Sequence, residues 1–210
     1  GGNEAPPAVM SVFVGSTLDR LLNSLEGIGN IESVTNISDT LDIVRKIPEI
    51  HADNTDRNRT SPFAFTGNRF EFRAVGSSVN VASAMYVLNC AVAEQLFRFR
   101  KLVDENIAKG CTTDEAIWKV VRQFIMESKN IRFEGNGYSD EWRVEAAARG
   151  LKGLESVPQA YKAFLEKQSV DLFVNMGVLT AREVEARYEV MNETYTKKLQ
   201  IEARVMGDLI

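Results

Sequence analysis

Apolar residues recur every three or four positions over much of the chain after residue 78. In the stretch 79–108 they stand at Val81, Met85, Leu88, Val92, Leu96, Phe99 and Val103. Side chains at this spacing share one face of an α-helix, and glycine is a common residue just past a helix end. We therefore predict one long amphipathic helix from Val79 to Ala108, ended by Gly110.

Helix-start signals mark the rest of the chain, residues 112–210. Two of them are capping boxes, in which a threonine is followed three residues later by a glutamate. In order, the predicted starts are Thr112 with Glu115, Ser139, Pro158, and Thr180 with Glu183. The last helix is predicted from Arg182 to Met206. Its charges lie on most faces, which indicates packing along a narrow stripe or against another subunit.

Residues 1–78 have a different composition, with many Gly, Asn, Thr and Pro residues and most of the strand-like patterns. Ser16 or Thr17 is a suitable cap for a short helix that runs to Leu25 and stops at Gly27. Its leucines are spaced so that they lie on one face of that helix.

These patterns define the expected fold. We predict an α+β class, with short antiparallel strands in the first third of the chain, between residues 45 and 76, and mostly α-helix from about residue 79 to the end. Residues 1–108 and 109–210 are expected to be two parts of one domain.

The composition excludes several classes of function. With 44% hydrophobic and 26% charged residues, the chain is expected to be a soluble globular protein that buries a hydrophobic core. The formal net charge of −4 is spread without a basic stripe, which argues against a nucleic-acid partner. No apolar run approaches the roughly 20 residues that span a bilayer, and residues 1–4 lack a signal-peptide pattern. We therefore expect a cytoplasmic protein with no membrane partner.

The chain has few residues for cysteine, histidine or zinc chemistry. Cys90 and Cys111 have no paired spacing and are expected to be reduced and structural, and the single histidine, His51, is expected to be structural or on the surface. Any metal must then be bound by carboxylates, which favours Mg²⁺ or Mn²⁺ over Zn²⁺.

The strongest chemical signal is a group of four arginines within seventeen residues, from Arg57 to Arg73. If residues 68–73 form a strand, then Arg69, Glu71 and Arg73 lie on one face and the two phenylalanines between them lie on the other, core-facing side. The carboxylate can bind a divalent ion, and the guanidinium groups on either side of it can bind phosphate oxygens. This pattern suits a nucleotide site. The alternative is a solvated strand face with cross-strand ion pairs, and spacing alone does not decide between them.

Five ordered motifs resemble those of one enzyme family. They are Asn3–Pro7 (NEAPP), Asp53–Phe65 (DNTDRNRTSPFAF), Phe70–Arg73 (FEFR), Arg132–Trp142 (RFEGNGYSDEW) and Lys198–Glu202 (KLQIE). Together they resemble the type III branch of the glutamine synthetases over essentially the whole chain. The resemblance implies an ATP-dependent glutamate–ammonia ligase, in which glutamate, ammonium and ATP react through a γ-glutamyl phosphate with Mg²⁺ or Mn²⁺ as cofactor.

The same resemblance implies roles for individual residues. Glu71 matches the family's metal ligand near the nucleotide phosphates. Arg73 matches an arginine associated with glutamate and the transferring phosphoryl group, and Arg69 matches a nucleotide-contacting position. Arg59 matches an arginine that steadies phosphate charge. Glu4 matches the glutamate of a mobile flap that helps to take a proton from ammonium.

The chain also departs from the family pattern. Ala64 stands where the type I and II branches have a further arginine, and Val81 replaces a proline after Asn80. The family's β-grasp domain and its other metal carboxylates have no counterpart in this sequence. The resemblance therefore implies the carboxy-proximal part of a catalytic domain, inactive alone, in a protein that assembles as a homo-oligomer, a dodecamer in this branch.

Three further interpretations follow from the residues themselves. The chain could instead be a non-catalytic helical module for interaction or assembly, with structural arginines. Six aromatic residues are predicted to be core rather than a ligand site: Trp118, Trp142, Phe97, Phe99, Phe124 and Tyr138. The stretch Gly135–Gly137 is predicted to be a turn, since no phosphate-loop sequence follows it.

Overall fold

A computed structural model describes residues 9–27, 60–67, 69–73 and 80–209 of the chain. Within these ranges the first third holds helix α1 and the strands β1 and β2, and helices form most of the remainder. The elements are α1 (Ser16–Gly27), β1 (Phe63–Phe65), β2 (Phe70–Phe72), α2 (Ala82–Ala108), α3 (Thr113–Glu127), α4 (Asp140–Ala148), α5 (Val157–Lys162), α6 (Lys167–Asn175) and α7 (Ala181–Asp208). Short 3₁₀ turns occupy Lys129–Ile131 and Ala163–Leu165. The predicted α+β class is confirmed.

The predicted helix starts are also confirmed. In the first capping box the Glu115 N–H donates to the Thr112 hydroxyl at 3.3 Å, and the Thr112 N–H donates to the Glu115 carboxylate at 2.9 Å. The second box, at Thr180 and Glu183, has the same pair of bonds at 2.7 and 3.3 Å. Such bonds satisfy N–H groups that have no partner inside the helix. Ser139 caps α4, and Pro158 lies in the first turn of α5.

The chain divides into two compact units. Of the described residues, the first unit contains those up to Asn80 together with 98–153, and the second contains 81–97 and 154–209. Helix α2 contributes to both. The domain division proposed between residues 108 and 109 stays a prediction.

The first unit holds a short parallel extension of the β1–β2 hairpin. The Phe13 N–H donates to the Phe63 carbonyl at 2.9 Å, and the Phe65 N–H donates to the Phe13 carbonyl at 2.7 Å. On the other side of this segment, Val12 pairs with Arg132. Its core has three clusters around Trp142, Trp118 and Val120.

The second unit has its own core. Cys90, Phe173 and Val184 form its buried centre, and Tyr86 and Phe164 pack against them. Burial raises the pKa of the Cys90 thiol, in keeping with a structural role. Both cysteines are free thiols.

Two expectations about aromatic residues are wrong. Phe97 was expected in the core, yet it is 65% exposed, because it lies two residues from Phe99 and so on another side of α2. Phe70 was expected on a core-facing strand surface, yet it is 52% exposed, because it belongs to the outer strand of a two-stranded hairpin. Trp118 and Trp142 are buried, as predicted.

None of the helices in the described ranges is both long enough and apolar enough to cross a membrane.

Candidate functional site

The β1–β2 hairpin brings together the three charged residues that the sequence predicts to share a face. Arg69 Nε lies 3.5 Å from Glu71 Oε1, and Arg73 Nη2 lies 3.1 Å from Glu71 Oε2. The Arg73 Nε also donates to Glu71 Oε2, at 3.4 Å. Both arginines therefore contact one carboxylate from opposite sides along the same strand.

Exposure of the side chains differs across this charged face. The exposed fraction is 70% for Arg69, 38% for Glu71 and 17% for Arg73. Arg73 is thus the most enclosed guanidinium of the three-residue group, and Arg69 projects into solvent. The exposed Arg69–Glu71 pair is expected to contribute only about 0–1 kcal/mol to stability, so stability gives little reason for this pair.

The register of the hairpin explains the position of Ala64. Ala64 lies directly across from Glu71 in the antiparallel pair, so their side chains project from the same face. Ala64 is completely buried and also pairs with Phe13 on its other side. The side chain of an arginine at position 64 would therefore begin beside the Glu71 side chain. In this chain the guanidinium groups next to Glu71 come from its own strand instead.

The opposite face of the hairpin is aromatic. Phe63 stacks on Phe70 with ring centroids 5.3 Å apart, and Phe65 lies 5.2 Å from Phe70. Phe72 makes an edge contact with Phe63. Cross-strand aromatic pairs stabilise two-stranded sheets, so this face holds the short strands together and fixes the charged face.

The donor set of the charged face limits the chemistry that it can perform. Two guanidinium groups can bind phosphate oxygens, and one carboxylate can share a divalent ion with those phosphates. No group of three His, Cys, Asp or Glu residues suited to a metal occurs in the described parts of the chain. Within these residues, Glu71 is the carboxylate of the charged face, and one carboxylate provides fewer ligands than a divalent ion takes.

Three other predicted residues cannot be placed. Glu4, Arg59 and His51 lie outside the described residues. Thr60, which directly follows Arg59 in the sequence, is described, and its carbonyl accepts a hydrogen bond from the Gly137 N–H at 2.8 Å. Asn80 is exposed and lies two residues before α2.

The motif 132–142 contains a buried arginine that was not predicted from the sequence. The Arg132 side chain is only 4% exposed, and its guanidinium pairs with Asp19 at 3.4 Å and with Glu26. Asn23 accepts a further bond at 3.5 Å. A bond from Lys129 is the main reason why the pKa of Glu26 is lowered. A polar stripe on α1 thus surrounds one guanidinium.

Glu134, in the same motif, has an unusual environment. Its Oε1 accepts a hydrogen bond from the Val14 N–H at 3.0 Å, while its buried Oε2 has no hydrogen-bond partner among the described residues. Burial raises the pKa of this carboxyl, and the bond from Val14 only partly opposes that effect. Glu134 is therefore easier to protonate than an ordinary glutamate.

One sequence signal could have located the Arg132 cluster. Asp19, Asn23 and Glu26 are spaced by four and three residues, which places them on one helix face away from the leucines. A polar stripe of this kind on a short amphipathic helix predicts a basic partner. It does not predict that the partner lies more than a hundred residues away.

Comparison with known proteins gives matches over the whole chain. Residues 116–210 match the family described as "Glutamine synthetase C-terminal domain". The chain is 47% identical over 211 residues to a glutamine synthetase of Bacteroides fragilis and 40% identical over 211 residues to the type-3 glutamine synthetase of Dictyostelium discoideum. It is 37% identical over 215 residues to a glutamine synthetase of Butyrivibrio fibrisolvens.

These matches cover all of this chain but only 28–29% of each relative. The chain therefore corresponds to a part of proteins named glutamine synthetase, which are ligases.

Proposed function

We propose that this chain is part of a type III glutamine synthetase and carries one metal- and phosphate-binding face of its active site. The reaction is the ATP-dependent ligation of ammonium to glutamate through a γ-glutamyl phosphate. The support is twofold: similarity to glutamine synthetases over the whole chain, and the charged face of the hairpin. The name of the Dictyostelium relative supports the type III branch.

The observation that carries the proposal is the position of Glu71 between Arg69 and Arg73. Phosphoryl transfer requires little covalent help from a protein, but it requires cations around the phosphate oxygens. The largely buried Arg73 side chain is suited to hold the transferring phosphoryl group, because removal from water strengthens the electrostatic interaction of its guanidinium. Arg69, which is more exposed, is suited to contact the rest of the nucleotide.

Glu71 provides the carboxylate for a divalent ion. Mg²⁺ is commonly bound by one or two carboxylates together with substrate phosphates, and this donor set fits that pattern. A bound Mg²⁺ or Mn²⁺ supplies Lewis-acid stabilisation of charge on the phosphate oxygens. The residues of the hairpin hold the carboxylate in place and orient the two guanidinium groups around it.

The remaining parts of the proposal rest on the family resemblance. Arg59 contributes further positive charge at the phosphates, and Glu4 helps to take a proton from ammonium. The complete protein is cytoplasmic and forms a homo-oligomer, a dodecamer in this branch. Because the hairpin offers only one metal carboxylate, we expect residues 1–210 alone to be inactive.

A second candidate function is a helical module for assembly without a catalytic role. The second half of α7 favours it, since residues 196–209 are exposed and include several large apolar side chains. These are Leu199, Ile201, Val205, Met206 and Leu209. In this case the arginines are structural, and their removal affects assembly but not chemistry.

Turnover of the complete gene product distinguishes the two functions. We expect it to form γ-glutamyl hydroxamate from glutamate, hydroxylamine and ATP with Mn²⁺, and we expect Glu71→Ala and Arg73→Ala each to lose about a thousandfold or more. Glu127→Ala is the matched control, because Glu127 also pairs with an arginine, Arg98, but lies on α3. An inactive parent protein contradicts the ligase proposal. Full activity of Glu71→Ala with loss of assembly contradicts the catalytic role of the charged face and favours the assembly role.

A further inference from the structure

Gly137 makes an unusually close approach to the segment that precedes the hairpin. Its N–H donates to the Thr60 carbonyl at 2.8 Å. A Cβ atom at Gly137 would lie 3.2 Å from both the Thr60 carbonyl oxygen and Pro62 Cδ, and 3.4 Å from Ser11 Oγ. Any side chain at this position therefore pushes against backbone and ring atoms, and glycine is the residue that fits.

The segment that Gly137 contacts is hydrogen-bonded to the backbone of the charged face. Ser61 and Pro62 are almost completely buried, and β1 begins at the next residue, Phe63. The Arg73 N–H donates to the Pro62 carbonyl at 2.8 Å. Two backbone hydrogen bonds, separated by the short segment Thr60–Pro62, thus connect Gly137 with Arg73.

The turn that contains Gly137 lies between Phe133 and Trp142 in the sequence, and the rings of these two residues pack closely against each other. The Trp142 ring is fully buried and stacks on Phe133 with centroids 4.0 Å apart. The Trp142 Nε1–H donates to the Val9 carbonyl at 3.2 Å. Arg149 donates to the Arg132 carbonyl at 2.8 Å, and its guanidinium lies over the Trp142 ring. These contacts hold Phe133 and Trp142, which lie before and after the turn in the sequence, and so limit how far the turn can move to make room for a side chain at Gly137.

We propose that Gly137 is a positioning residue for the charged face: by packing against Thr60–Pro62 it fixes the start of β1 and, through Pro62, the backbone at Arg73. This inference rests on the proposed function, because it gives the motif 132–142 a part in that site. Gly137 touches none of the reacting groups. It acts through the segment that it contacts, which directly follows Arg59 in the sequence.

Gly137→Ala in the complete gene product is the test, with Gly27→Ala as the matched control. A Cβ atom at Gly27 meets no described atom within 4 Å. Hydrogen–deuterium exchange is expected to become faster in residues 60–73 of Gly137→Ala and to stay unchanged elsewhere. In the hydroxamate assay, the Mn²⁺ and glutamate concentrations for half-maximal activity are expected to rise by roughly tenfold, since displacements of about 1 Å have effects up to about a hundredfold.

A second variant approaches the same contact from the other side. Pro62→Ala removes the Cδ atom that packs near Gly137. It is also expected to make hydrogen–deuterium exchange faster in residues 60–73 and to raise the Mn²⁺ and glutamate concentrations for half-maximal activity. It keeps the test decisive if Gly137→Ala does not yield folded protein.

The outcomes separate this inference from the proposed function. Unchanged exchange in residues 60–73, or an equal rise of exchange in the whole chain, overturns the positioning role. A lower amount of active enzyme with unchanged half-saturation concentrations also overturns it, because that result indicates general destabilisation. A complete gene product that never forms hydroxamate overturns the proposed function instead, and the exchange data still decide whether Gly137 fixes the hairpin.

Discussion

At the scale of single residues, two neighbouring charges in the motif 132–142 have opposite environments. Arg132 is buried, but Asp19 and Glu26 compensate its charge. Glu134 is partly buried, its enclosed Oε2 has no hydrogen-bond partner in the described structure, and its pKa is raised. A buried charge is tolerated when it is paired, whereas protonation stabilises a carboxyl whose loss of water outweighs its favourable contacts.

This difference predicts a pH effect for Glu134→Gln. Because the folded-state pKa of Glu134 is raised above its ordinary value of 4.5, its stabilising contribution is complete below that pH and is lost as the pH rises through the folded-state pKa. Glutamine stays neutral at every pH. Thermal unfolding of residues 1–210 and of the variant from pH 4 to 8 should therefore show the wild type losing stability relative to the variant as pH rises. Parallel curves contradict the burial of a titrating carboxyl.

At the scale of elements, short sequence motifs predicted the features that depend on neighbouring residues, such as helix starts. The capping threonines, Ser139 and Pro158 specified helix starts, because caps act within one turn. The alternation of charged and aromatic residues predicted the charged face of β2. The pairing of Val12 with Arg132 could not be predicted, since it joins residues 120 apart and neither segment has a strand-length pattern.

Capping gives a test at this scale. Thr112→Ala removes the hydroxyl that accepts the Glu115 N–H and is expected to lower the free energy of unfolding by about 1 kcal/mol. Thr112→Ser keeps the acceptor and should cost much less. Thr113→Ala, the same change one residue further into α3, is the control. Urea unfolding of residues 1–210 measures all three, and equal losses at positions 112 and 113 contradict the capping role.

At the scale of the whole molecule, the sequence predicted the fold class and the residues that share the charged face. The contribution of the motif 132–142 could not be predicted, because the environments of Arg132, Glu134 and Gly137 depend on packing against segments far away in the chain. Residues 1–210 span about 29% of the Bacteroides relative. The ligase proposal therefore concerns the complete gene product, in which other carboxylates are needed to complete a metal site around Glu71.

Binding of Mn²⁺ to the complete gene product, measured by electron paramagnetic resonance of free Mn²⁺ in the presence of ADP, tests the metal-ligand assignment most directly. We expect Glu71→Gln to raise the Kd of one Mn²⁺ by at least about tenfold. Even changes at residues that only support metal ligands lower metal affinity by about 10- to 100-fold. Glu127→Gln, which removes the charge of a carboxylate paired with Arg98, should bind Mn²⁺ like the wild type. Unchanged affinity and stoichiometry in Glu71→Gln would contradict the account and leave the charged face as a solvated ion-pair surface.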